Sequence, residues 1–375
     1  MRKNGRITAY IHMEAIAANF EMIKSKLKED TKVIVVIKAD GYGHGAVPIA
    51  KMVESYDYIW GYAVAAVSEG MKLREAGIEK PILVLGYSFE EDYETMIQNQ
   101  IRPTLFTLEM AQDFAKKAQL YGRQVPVHLA VDTGMSRIGL SDREEGLAIA
   151  EQISQMDALQ IEGVFTHFAR ADEMDKSSAR EQAERFISFC DRLEQAGVPK
   201  FLRHCSNSAG IMELSEYQMD AVRAGIILYG IYPSDEMNRE QFPLQPAMEL
   251  KSHVIHVKTI EAGTPVSYGG TFVAEHTMKV ATVPVGYADG YPRSLSNIGN
   301  VLINGKRARI LGRVCMDQFM VDVTGQDVSV LDEVTLVGVD GDDQITVDEL
   351  SELSGRFPYE FVCDIEKRVP RVYQM

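Results

Sequence analysis

Eight short runs rich in Val, Ile, Leu and Phe recur through the first 235 residues: VIVVIK, YIWGYAV, PILVLG, RPTLF, VPVHLAVDTG, IEGVFTHFA, FLRHCSN and DAVRAGIIL. Between them lie helical patterns such as AVSEGMKLREAG, TLEMAQDFAKKAQLYG and SSAREQAERFISFCDRLEQAG, several closed by a glycine suited to a helix end. A run such as VIVVI has no polar alternation, so both of its faces are apolar, as in a parallel strand covered by helices. Eight strand–helix units predict a (β/α)8 barrel. A doubly wound open sheet is the alternative, because strand count alone leaves closure undecided.

The rhythm changes near YGIYPSDEMNREQFPLQP, where prolines and charges break the helical period. Beyond it come strand-like MELKSHVIHVKTI, MKVATVPVGYA, VLINGKRARILGRV and MDQFMVDVT, with Asn304-Gly305 as a two-residue hairpin turn. The expected organisation is a barrel domain over 1–235 and an all-β domain over 236–375, the first residues being free to pair with the second domain. A length of 375 residues with 46% hydrophobic content supplies two cores. The acidic DGDD at 340–343 reads as a solvated turn, since the ligand spacing of an EF-hand is missing.

A net charge of −15 argues against nucleic acid or an anionic membrane as partner and favours a small soluble ligand. No run approaches a membrane span, and the amino terminus lacks the apolar core of a signal peptide. The expected location is the cytoplasm. Cys190, Cys205, Cys315 and Cys363 are scattered without a CxxC spacing, so reduced thiols are expected. His253 and His256, three apart in an alternating strand, point to opposite faces, and no metal is expected.

Barrels gather functional side chains at the carboxyl ends of their strands. Lys38 ends the first strand and is followed by three glycines in five positions, which let the backbone approach something bulky. Arg137 follows the fifth strand, His167 lies late in the sixth, Asn207 and Ser208 follow the seventh, and Arg223 opens the eighth. Singly, each has a structural explanation: a snorkelling lysine before a loose loop, ion-paired arginines, a core histidine, a helix cap. Their convergence at one rim is harder to assign to packing. Asn207, Ser208 and the backbone N–H groups of Gly225 and Ile226 form a candidate phosphate cradle after the last two strands. ADGYGHG has neither the GK[ST] of a nucleotide loop nor the dinucleotide fingerprint. A phosphate site beside a strand-end lysine suggests pyridoxal phosphate, whose aldehyde a lysine amine can hold as a Schiff base.

The motifs VIKADGYGHG, DTGMSRIG, THFA, HCSNSA, RAGIILYGIYP, VSYGGTF, VGYADGYPR, GRVCMDQFMVDV and KRVPRVY together resemble the alanine racemase family over essentially the whole chain. The resemblance implies a dimeric, pyridoxal-phosphate-dependent racemase that supplies D-alanine for peptidoglycan. It implies that Lys38 is the Schiff-base lysine, that Tyr42, Ser208, Gly225 and Ile226 contact phosphate, and that Tyr268 is a second base. Met316 and Asp317 are similar to the family's substrate-pocket segment. His167, beside Arg223, is implied in proton relay or ring stacking.

Inverting a stereocentre needs a base on each face, and Lys38 and Tyr268 are the expected pair. An arginine facing the pyridine nitrogen keeps its proton, so Arg223 leaves the ring a weaker electron sink, which suits racemisation over transamination. Arg137 is expected to hold the substrate carboxylate and the cofactor's phenolic oxygen. Tyr268 belongs to the second domain and Lys38 to the first; joined to the resemblance, this makes a symmetric dimer with shared sites the expectation, with a within-chain pairing as the rival.

Two positions depart from the family pattern. Ala130 stands where many relatives carry a carbamylated lysine that steadies the arginine; if Arg137 is buried it needs another partner, such as chloride, a carboxylate or water. Lys367 replaces an active-site tyrosine of many relatives, which leaves a serine-preferring or broad-specificity racemase as the alternative. A barrel-type decarboxylase would need glycine and cysteine motifs not found here, and a non-catalytic pyridoxal-phosphate-binding protein would not need Tyr268.

Overall fold

The computed structural model describes residues 5–375. The chain divides into two compact units, one of residues 17–41 and 45–245, the other containing residues 5–16, 42–44 and 246–375.

In the first unit, strands β2 (Lys32–Val36), β3 (Ile59–Val64), β4 (Ile82–Val84) and β5 (Ile101–Arg102) pair in parallel in that order. A second parallel sheet runs β6 (Thr104–Leu105), β7 (Val125–Asp132), β9 (Leu159–Phe165) and β10 (Leu202–His204), with β8 (Leu140–Ser141) added beside β7. Only Pro103 separates β5 from β6. Having no N–H, it interrupts the ladder of one stave that serves both sheets. At the other seam β11 (Ala221–Ala224) pairs in parallel with β2, while the Arg223 N–H donates to Ser206 O at 2.9 Å and the Arg203 N–H to Asp220 Oδ2 at 2.8 Å. Eight staves therefore close into the barrel that the strand–helix alternation predicts. The first stave is apolar on both faces as expected, with Val33 through Ile37 all buried.

The second unit is built on one long sheet in the order β13 (His256–Ile260), β16 (Met278–Val283), β19 (Phe319–Asp322), β18 (Lys306–Leu311), β17 (Asn300–Ile303), β20 (Glu333–Asp340), β12 (Met248–His253), β1 (Ile7–His12) and β22 (Arg371–Gln374). Strand β21 (Asp343–Ile345) pairs with β20, and β14 (Pro265–Val266) with β15 (Phe272–Val273) forms a separate ribbon. The first strand of the chain thus lies between β12, antiparallel, and β22, parallel. The Asn304-Gly305 turn joins β17 to β18 with φ of 52° and 72°, the left-handed pair that matches hairpin twist. MELKSHVIHVKTI divides at residues 254–255 into two strands, so His253 and His256 stand on different strands. Two short helices, Val347–Ser354 and Pro358–Cys363, accompany the sheet. Thr346 caps the first, accepting from the Glu349 N–H at 3.0 Å.

Candidate active site

The residues after Lys38 form a left-handed turn. Ala39, Asp40, Gly41, Tyr42 and Gly43 have φ of 51°, 52°, 62°, 51° and 78°. For the three non-glycine residues this conformation costs about 1–2 kcal/mol each. Hydrogen bonds offset part of that cost: within the segment, Gly41 N–H to Ile37 O at 2.9 Å, Gly45 N–H to Asp40 O at 2.7 Å and Ala46 N–H to Asp40 Oδ1 at 2.9 Å, and from outside it, Ala39 N–H to Glu69 Oε1 at 2.6 Å. The glycine-rich stretch is a fastened turn rather than a loose loop. Lys38, half-buried, leads into it from the carboxyl end of β2.

Arg223 is buried on β11 and surrounded by neutral acceptors. Its Nη1 donates to His204 O at 2.7 Å and reaches His204 Nδ1 at 2.9 Å; its Nη2 donates to Thr166 O at 2.7 Å and Cys205 O at 3.0 Å and lies 3.3 Å from His167 Nδ1. Burial, with a smaller contribution from Arg137, lowers its pKa to about 10, which still leaves the guanidinium charged at neutral pH. No ion pair between Arg223 and a carboxylate occurs among the described residues. His167 is pushed down to about 3 by burial first, then by Arg223, Arg137 and Lys38. Three of the sequence-selected residues, Lys38, Arg137 and Arg223, thus act on the fourth, His167, and all three lower its pKa.

Behind Arg223, His204 Nε2 lies 3.0 Å from His128 Nδ1, and His128 Nε2 is 3.4 Å from Glu162 Oε2. Both histidines are buried, and burial keeps them neutral. Because a guanidinium only donates, His204 Nδ1 accepts from Arg223 and its proton sits on Nε2, facing His128.

Ala130 is buried on β7, while Arg137 is exposed. Exposed in the single chain, the guanidinium is not buried there, so the condition under which Arg137 required another partner is not met within this chain.

At the candidate cradle, Asn207 caps helix Ser208–Glu213, its Oδ1 accepting from the Gly210 N–H at 3.0 Å. Ser208 Oγ accepts from the Gly225 N–H at 3.1 Å, which ties the end of the seventh stave to the end of the eighth, where Ile226 follows. The seventh- and eighth-strand residues selected from the sequence are thus in direct contact.

The other selected residues belong to the second unit. Tyr42 groups there, its ring edge-on to Tyr359 at 6.1 Å, its hydroxyl pKa raised by burial and by Cys363. Tyr268 follows Ser267, itself at φ 63°, and is 71% exposed; Met316 is 53% exposed. Asp317 Oδ1 accepts from Arg368 Nη2 at 2.6 Å. Arg368 Nε also donates at 2.8 Å to Asp289, a fully buried carboxylate that is paired with Arg6 as well and accepts from the Gly286 N–H at 2.9 Å. Lys367, next to Arg368, is exposed.

Sequence reasoning missed four contributors. His204 and His128 sit inside strand runs and read there as ordinary core histidines. Gln182 donates to His167 O at 3.0 Å and accepts from the Ala169 N–H at 2.9 Å; its signal is a buried amide within the apolar face of helix Ser177–Gln195. Glu69 leaves a weaker trace, a glutamate in the first turn of a helix.

The fold is thus a closed parallel barrel that carries a lysine, two arginines and a neutral histidine at its strand ends. Residues 11–233 match the family model described as alanine racemase, N-terminal domain, and residues 247–373 that of the C-terminal domain. The alanine racemase of Desulforamulus reducens is 46% identical over 368 residues, covering 98% of both chains. The solved alanine racemase of Clostridium difficile 630 superimposes with a TM-score of 0.95 at 41% identity, covering 100% of this chain and 97% of that one. The structure from Bartonella henselae, with covalently bound pyridoxal phosphate, has a TM-score of 0.86 at 29% identity, covering 98% and 99%. The chain belongs to the alanine racemase family.

Proposed function

We propose that this protein is a pyridoxal-phosphate-dependent racemase that interconverts L- and D-alanine in the cytoplasm, as a homodimer whose two bases are Lys38 and Tyr268 of the partner subunit. The observation that carries the reading is the cationic cluster of Lys38, Arg137 and Arg223 with neutral His167 at the strand ends. A buried guanidinium without a carboxylate partner is costly unless an anion completes the site, and the cofactor's charge fits that need. Lys38 would hold the cofactor covalently; Asn207, Ser208, Gly225, Ile226 and Tyr42 would hold its phosphate.

When bound, pyridoxal phosphate supplies an electron-withdrawing ring that acidifies the α-hydrogen of an amino acid joined to it. Lys38 Nζ removes or returns that proton on one face, and Tyr268 Oη does so on the other. Arg223 keeps its own proton at neutral pH and donates, which limits the electron withdrawal and favours return of the proton to the α-carbon. Neutral His167, held by Arg223 and Gln182, would stack on the ring or relay a proton. Arg137 pairs with the substrate carboxylate, and Met316 and Asp317 line its pocket. The 71% exposure of Tyr268 supports a second copy as its cover.

Chiral chromatography after incubation with L-alanine, and separately with L-serine, tests the assignment. D-alanine should form with the higher kcat/KM. Faster formation of D-serine would transfer the enzyme to the serine-preferring reading that Lys367 raises, and formation of neither isomer by folded, cofactor-loaded protein would contradict the proposal.

A further inference from the structure

Glu69 stands outside the residues assigned to the reaction, in the first turn of helix Val67–Glu75, just beyond β3. Its Oε2 accepts from the N–H groups of Ala65 at 2.8 Å and Ala66 at 3.2 Å, as a capping glutamate does for its own helix. Its Oε1 turns away from that helix and accepts at 2.6 Å from the Ala39 N–H, the donor of the residue directly after Lys38. One carboxylate therefore fastens two neighbouring barrel units together at the point where the first leaves its strand.

We propose that Glu69 is a positioning residue for Lys38, holding the left-handed turn whose first residue is Ala39; the inference rests on the reading of Lys38 as the catalytic lysine. Ala39 enters the turn at φ 51°, ψ 45°, a conformation alanine leaves readily unless its surroundings hold it. Hydrogen bonds from Gly41, Gly45 and Ala46 lie at or beyond the turn's middle and end on Ile37 or Asp40, within the segment itself, and Arg371 Nε donates to Gly43 O at 3.1 Å at its far end. At Ala39 the partner comes from a different unit of the barrel, and it is an ionised acceptor, the stronger kind. Without it, relaxation of Ala39 turns the Cα–Cβ direction of Lys38, and a small displacement of a catalytic group is expensive in rate.

The test compares hydrogen exchange of the peptide spanning 37–46 with steady-state kinetics in the holoenzyme. In Glu69→Ala the turn should exchange about tenfold faster or more, with kcat for L-alanine lower by roughly tenfold to a hundredfold and KM within about twofold. Glu69→Gln keeps one carbonyl oxygen and can serve the turn or the helix, so it should fall between; it decides the matter alone if Glu69→Ala does not fold. Thr346→Ala, which removes the cap of helix Val347–Ser354, controls for loss of a cap as such and should change neither readout. Unchanged turn exchange in both Glu69 variants, or faster exchange with wild-type kcat, overturns the proposal. A Lys38→Ala protein that retains turnover would refute the role of Lys38 while leaving the exchange result standing, so the two failures are distinguishable.

Discussion

Lowering the pH from 7 to 5 should leave His167 unprotonated. An ordinary histidine, titrating near 6.5, is about 97% charged at pH 5; with its pKa pushed down to about 3, His167 is about 1% charged. The unfolded chain takes up a proton in this interval and the folded chain does not. The contribution of His167 to stability is therefore full above about pH 6.5 and declines as the pH falls toward 3, with a loss of about 2 kcal/mol by pH 5. His128 and His204, also depressed by burial, add in the same direction. Glu162, which His128 and Arg102 hold at about 2 against the opposing effect of burial, keeps its full stabilising contribution above the ordinary carboxylate range and loses it only as the pH falls from there toward 2. With eight histidines in the chain, ring signals from 15N-histidine-labelled holoenzyme can be followed from pH 8 to 5 and assigned through His167→Gln and His204→Gln. Signals for residues 167 and 204 should stay flat, and the urea midpoint should fall on acidification, less steeply in His167→Gln. A titration of His167 with its midpoint above pH 5 would refute the electrostatic account of the cluster.

Borohydride treatment of the yellow holoenzyme should fix the cofactor to the peptide containing Lys38, whereas Lys38→Ala should lose nearly all turnover and stay folded; labelling at another lysine removes Lys38 from its role. Replacing Arg6 and Arg368 together by Met leaves the buried Asp289 carboxylate without a cationic partner and should cost about 3–5 kcal/mol, more than the two single changes combined, read as thermal midpoints. In the Arg368→Met protein the loss of the 2.6 Å contact to Asp317 should also raise KM for alanine before it lowers kcat.

The barrel was legible because strands apolar on both faces and helices with one apolar stripe have different periods, and eight alternations leave few architectures. Its closure was not, since it depends on one stave broken by Pro103 and on single hydrogen bonds at Arg223 and Arg203. The cationic groups could be chosen because a lysine or arginine at the end of an apolar run is conspicuous. Glu69, Gln182, His128 and His204 act through hydrogen bonds to residues 30, 15, 76 and 19 positions away, and no local pattern marks such partners. The left-handed turn was also hidden: three glycines announce freedom, but Ala39, Asp40 and Tyr42 share the conformation without being glycine. The helices Val347–Ser354 and Pro358–Cys363 are short enough that strand-like neighbours masked them.

The central claim, that each site is completed by two chains, is tested most directly by a mixed dimer of Lys38→Ala with Tyr268→Phe, co-expressed with separable tags. Each parent homodimer lacks one base in both of its sites and should be nearly inactive. If Lys38 works with Tyr268 of the partner subunit, one of the two sites in the mixed dimer regains both bases while the other loses both. The account predicts about half of the wild-type kcat per dimer at an unchanged KM, since one site of two is intact. A verified, folded, cofactor-loaded mixed dimer with no activity above its parents would contradict it and return the tyrosine to its own subunit or remove it from the mechanism.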